Sequence, residues 1–116
     1  MRIEEALEIV RQATPELLRA MSRESIVFIT EGMSGPEVQT FIFAKNVKIF
    51  GGINGYVNNL FATDTVHKIK QIPDRDVRRK TAMGFISNLV RMLTYPDLSV
   101  GNKERIELAI ADLQDA

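Results

Sequence analysis

The stretch SGPEVQTFIFAKNVKIFGG, running from Ser34 to Gly52, decides the fold. Ser34 and Pro36 stand at one end and Gly51-Gly52 at the other, which are the start and stop signals of a helix. Between them the apolar residues lie on two sides. Val38, Phe41, Ile42 and Ile49 share one side, and Phe43, Val47 and Phe50 share another. A helix apolar on two sides must bury both, so this one is expected at the centre of a bundle or at an interface. The competing reading makes residues 39–44 and 47–50 strands, with Asn54-Gly55 as a hairpin turn. Just upstream, SIVFIT (Ser25 to Thr30) is rich in β-branched residues. It fits a strand, or it extends a helix whose Leu18, Met21, Phe28 and Ile29 share a broad face. The helical reading gives an all-α compact bundle of about five to six helices. The other gives an α+β fold with a small hairpin within residues 25–61.

The flanking segments favour helices. Ile3, Ala6, Leu7 and Val10 recur at helical spacing, while Glu4, Glu5 and Glu8 face outward and suit the positive end of the helix dipole. Thr14-Pro15-Glu16 is a hydroxyl cap, a first-turn proline and an acid. Val57, Leu60 and Phe61 suggest a short helix after Asn54-Gly55. Thr63-Asp64 is placed to cap another, through Val66, Ile69 and Ile72, which Pro73 stops. Asp74 caps a long helix that runs to about Thr94, before Pro96. Asn102 is expected to cap the last helix, where Ile106, Ala109, Ile110 and Leu113 form a regular stripe.

The chain's 116 residues suit a single helical domain, residues 1–116. At 45% hydrophobic and 26% charged it has a globular composition, and the size is sufficient for a core without disulfides. The absence of cysteine excludes thiolate nucleophiles, disulfides and cysteine metal sites. No apolar run approaches the roughly 20 residues that cross a bilayer, and the acidic N-terminal segment does not resemble a secretion signal. A cytoplasmic location with no membrane partner is the expectation. Net charge is zero, but its distribution is uneven. Residues 1–44 carry four basic and seven acidic groups, residues 45–80 eight and three, and residues 81–116 three and five. A basic centre between acidic ends is either a contact patch or internal charge matching.

The basic cluster centres on DRDVRRK, Asp74 to Lys80. Advancing 100° per residue, Arg75, Arg78 and Arg79 lie above the apolar arc of Ala82, Phe85, Ile86, Leu89 and Leu93, not with Lys80. This arginine crown either pairs locally with acids or, with the free N–H groups of the helix start, holds an anion. Upstream, GYVNNLFATDTVHKIKQIP (Gly55 to Pro73) has the spacing of a helix-turn-helix, which would turn Thr65, His67, Lys68 and Lys70 toward a groove. The turn position usually filled by glycine holds Phe61 or Ala62, which weakens that match. Lys68, Lys70, Arg75, Arg78 and Arg79 are therefore the anion or nucleic-acid contact candidates.

Catalytic chemistry finds no foothold. His67 is the single histidine, zinc lacks a ligand set, and no nucleophile elbow or phosphate loop occurs. Asp74-x-Asp76 lacks the glycine and distal glutamate of a calcium loop. The expectation is a non-enzymatic adaptor or regulatory protein without cofactor or metal. It would act through protein–protein contacts, as an oligomer with a second copy of itself or with another protein. Phe41, Phe43, Val47 and Phe50 are the partner-binding candidates. The alternative is a nucleic-acid-binding protein using the basic segment 55–80.

Overall fold

In the computed structural model, which describes residues 1–116, the helical reading of Ser34–Gly52 holds and no strand occurs anywhere. The helices are α1 (Ile3–Gln12), α2 (Pro15–Arg19), α3 (Arg23–Thr30), α4 (Gly35–Ile49), α5 (Ile53–Ala62), α6 (Thr65–Lys70), α7 (Arg75–Met92) and α8 (Val100–Gln114). The chain is thus all-α, with eight helices rather than five to six. The hairpin alternative within residues 25–61 is not what forms: α3, α4 and α5 occupy that stretch. The chain divides into two compact units, Met1–Gly52 and Ile53–Ala116.

In the first unit, α4 packs against α1 and α2. Both ends of α4 are fixed by local chemistry. The Ser34 hydroxyl accepts from the Glu37 N–H at 3.3 Å, and the Glu37 carboxylate accepts from the Ser34 N–H at 3.0 Å. These two bonds close a reciprocal capping box. They also hold the Glu37 carboxyl below its ordinary range, the Ser34 backbone N–H contributing most and its hydroxyl next. At the other end Gly51 and Gly52 have φ of +81° and +124°, in the left-handed region that a side chain disfavours. Gly52 N–H donates to the Val47 carbonyl at 2.8 Å and Gly51 N–H to the Lys48 carbonyl at 3.1 Å. That pair is the Schellman stop signalled by the two glycines.

SIVFIT neither forms a strand nor extends α2. It is a helix of its own because Ser22, in extended backbone, accepts from the Ser25 N–H at 3.1 Å and restarts the helix. The Ser22 cap and the burial of Ile29 outweigh the β-propensity of Ile26, Val27 and Ile29. The core of this unit takes residues from all four helices: Ala6 and Val10, Leu18, Ile29, and Phe41, with Ile9, Met21, Ile26, Ile42 and Ile49 packed around them. Two cations tie the helix ends. The Lys48 ammonium donates to the carbonyls of Val10, at 2.8 Å, and Arg11, at the end of α1. The Arg19 guanidinium donates to the Ile49 carbonyl at the end of α4, at 3.2 Å. Both supply donors to carbonyls that a helix terminus leaves without partners.

In the second unit α7 and α8 make the principal pair, and α6 packs against both. Its buried apolar residues are Ile53, Val57, Ile69, Ala82, Leu89, Met92, Ile106, Ala109 and Leu113. Asp74 caps α7 as expected, accepting from the Val77 N–H at 2.9 Å. Two caps differ from expectation. The cap of α8 is Ser99, whose hydroxyl accepts from the Asn102 N–H at 3.2 Å, so the Asn102 side chain is released for another role. Asp64 precedes α6 in left-handed backbone, φ +56°, and its side chain makes no cap bond. Aspartate tolerates that conformation better than most residues.

The Lys48 bonds yield a direct test. Lys48→Met keeps most of the aliphatic stem and removes the ammonium. It is expected to lower stability by about 1–2 kcal/mol, in line with hydrogen bonds to charged groups. Urea unfolding followed by circular dichroism reads this out. An unchanged midpoint would mean that the α1 terminus does not depend on the ammonium.

Candidate functional site

The sequence-derived contact residues fall in unlike environments. Phe41 is 0% exposed and sits in the first unit's core, so it offers nothing to a second molecule in the folded chain. Phe43 is 5% exposed, Val47 is half-buried, and Phe50 is 37% exposed at the C-cap of α4. The four do not form one open apolar surface.

The basic candidates also separate. Lys70 pairs with Asp112 across α6 and α8 at 2.6 Å. Arg78 folds back and donates to the Ile72 carbonyl at 2.9 Å, closing the turn between α6 and α7. Both are tied to the fold of their own unit. Lys68, Arg75 and Arg79 are exposed and make no side-chain hydrogen bond or ion pair. Around the turn, the Thr63 and Thr65 hydroxyls bond each other at 2.8 Å, and His67 faces solvent. With α6 only six residues long, the helix that would enter a groove presents less than two turns.

Apolar side chains are exposed at several places, Leu17, Met83, Val100 and Leu108 among them, and on α3 two of them are consecutive. Of its eight residues only Ile29 is buried. Val27 is 57% exposed and Phe28 is 68% exposed. Phe28 borders an open groove of about 460 Å³ lined by Met1, Ile9, Met21, Phe28 and Ile29, with Glu24 and Ser25 on its edge. Methionine side chains suit such a groove, because their flexible thioethers adapt to different apolar shapes. Phe28 is exposed at the edge of this concavity, and Val27 is exposed on the adjoining face of α3. The sequence carried the signal in SIVFIT, whose apolar run is longer than one buried helix face requires.

A second feature escapes single-residue reasoning. In the second unit a polar seam joins α5 to α8. The Asn54 side chain donates to the Asp97 carbonyl at 2.9 Å and accepts from the Ser99 N–H at 2.9 Å and the Asn102 amide at 3.0 Å. Arg105 then donates to Asn102 at 3.0 Å and Asn58 at 3.1 Å, and its guanidinium lies 4.6 Å from the centre of the Phe61 ring. Asn102 is the buried polar residue of the chain, at 6% exposure. Its place was legible: Asn102, Ile106, Ala109 and Leu113 share one helical stripe. The seam satisfies its own donors and acceptors, and its evident work is to lock α8 onto α5.

No known protein family matches this chain, and no curated protein or solved structure is detectably similar to it.

Asn54→Ala removes three hydrogen bonds at once and strands the buried Asn102 amide. It is expected to destabilise the protein by about 2 kcal/mol, the scale for an unsatisfied buried polar group. The urea midpoint measures this, and a change below about 0.5 kcal/mol, the range of ordinary surface substitutions, would refute the role given to the seam.

Proposed function

We propose that this protein is a non-enzymatic adaptor or regulatory protein that acts through protein–protein contacts as an oligomer. The observation that carries the reading is the α3 surface, where Val27 is exposed and its neighbour Phe28 is exposed at the edge of a methionine-lined groove. Apolar surface of this kind is unfavourable in water and becomes favourable when covered. The contact residues put forward are therefore Val27, Phe28, Met21 and Ile9, in place of the aromatic residues within α4.

Sedimentation velocity over a range of protein concentrations tests this. The wild-type chain is expected to show concentration-dependent mass. Phe28→Glu, which places a charge at the groove edge, is expected to weaken that association severely while leaving the helical circular dichroism intact. A wild-type chain that stays monomeric throughout would contradict the reading.

A second reading, nucleic-acid binding through residues 55–80, draws support from the exposed, unpaired cations Lys68, Arg75 and Arg79. Fluorescence anisotropy with labelled duplex and single-stranded oligonucleotides at two salt concentrations examines it. The variant to use is Arg75→Glu/Arg79→Glu, which spares the bond from Arg78 to the Ile72 carbonyl. Salt-sensitive binding abolished in the variant is the outcome expected of this second reading. Absence of binding at low salt would remove it.

A further inference from the structure

Resting on the protein-contact reading, we propose that the outward face of α3 is a two-fold contact in which two copies of this chain pair α3 against α3, antiparallel. Arg23, Val27 and Glu31 recur at intervals of four residues along α3 and its C-cap, and all three are exposed. At 3.6 residues per turn they span about 80° of arc, opposite the buried Ile29. Val27 is the midpoint of the stripe, with one charge about 6 Å along the axis on either side.

The charges give the stripe its direction. Arg23 is the first residue of α3 and Glu31 is its C-cap. Each stands at the end of the helix where its sign opposes the macrodipole: a cation at the positive end, an anion at the negative end. Neither side chain makes an ion pair or hydrogen bond within the chain; the Glu31 bond to the N-terminal ammonium is through its backbone carbonyl. An antiparallel neighbour reverses both defects. With the two-fold axis at Val27, Arg23 of one copy meets Glu31 of the other, twice. Each charge then also faces the complementary end of the opposing helix. A parallel neighbour would set Arg23 on Arg23 and Glu31 on Glu31.

The apolar part of the patch is self-complementary as well. A two-fold interface uses the same patch on both copies, so a residue on the axis meets its own copy. Val27 supplies the contact on the axis. Phe28 projects about 100° round the helix from Val27, at the border of the groove on the flank of α3, where it adds apolar surface at the edge of the contact. The occupant that fits the charge order is therefore a second copy of this chain, with Val27 meeting Val27 on the axis.

A charge exchange tests the arrangement, with sedimentation velocity and native mass spectrometry of the full chain as readouts. Wild type is expected to stop at dimer. Arg23→Glu and Glu31→Arg each turn two attractive pairs into two repulsive ones and are expected to weaken dimerisation about tenfold. The double variant Arg23→Glu/Glu31→Arg recreates both pairs with signs exchanged and is expected to recover the association. Both positions are exposed, and circular dichroism with the unfolding midpoint verifies that each variant is folded. A dimer indifferent to both single changes overturns this pairing but leaves the protein-contact reading standing, provided that Phe28→Glu still dissociates it. Loss in the single variants without recovery in the double variant also overturns the pairing, as do assemblies larger than two. A wild-type monomer at every concentration overturns both.

Discussion

The burial of Phe41 is the constraint on which the first unit depends. Its ring is completely enclosed, and the cluster around it draws on every helix of the unit: Ala6 and Val10, Leu18, and Ile29. Fixed ends make that convergence possible. The capping box at Ser34 and the double-glycine stop at Gly51 define the length of α4, and so the height at which Phe41 stands. Once Ile29 is turned toward Phe41, helical geometry leaves no choice about the rest of α3. Arg23, Val27 and Glu31 must point the opposite way, and Phe28 must lie beside the groove. The proposed contact surface is thus a consequence of the core, formed from the residues that the core does not use.

The cations of the chain serve the same economy. Lys48, Arg19 and Arg78 each bind a carbonyl at or just beyond the end of a helix, and Lys70 ties α6 to α8 through Asp112. Part of the basic excess between residues 45 and 80 is therefore internal chemistry. A helix terminus leaves four carbonyls without partners, and a long flexible cation from a neighbouring helix reaches them without needing a glycine at every end. In the second unit the corresponding device is the seam of Asn54, Asn58, Asn102 and Arg105, in which each polar group answers another. Such a seam fixes register more than it adds stability, because a shifted helix would leave buried amides without partners.

Most of the architecture was legible in short signals. Thr14, Ser34 and Asp74 stand where their hydroxyl or carboxylate predicts a cap, and Gly51-Gly52 ends α4 as its composition suggests. The hairpin alternative arose because Ile26, Val27, Ile29 and the residues of α4 have β-branched or aromatic side chains. Propensity is weaker than a cap combined with a core position, and Ser22 supplies that cap to α3. Asparagine is a good cap, but Ser99, three residues earlier, fills that place, and the position of Asn102 on the Ile106–Leu113 stripe is the better clue to its burial. The site was less legible than the fold. Two apolar sides on α4 drew attention to Phe41 and Phe43, yet a helix apolar on two sides signals burial before it signals contact. The exposed face of α3 emerges only when the core shows which of its residues remain outside.

The absence of cysteine makes the central claim directly measurable. Val27→Cys introduces a single thiol on the proposed two-fold axis. With helix axes about 8–10 Å apart, facing Cα atoms lie within the roughly 4–7 Å that a disulfide spans. Mild oxidation followed by non-reducing electrophoresis is the measurement, with Met83→Cys as the control, since Met83 is 69% exposed on α7. The account predicts rapid conversion of the Val27→Cys chain to a covalent dimer while the Met83→Cys chain lags far behind. Equal rates for the two, or a Val27→Cys chain that stays monomeric, would contradict it.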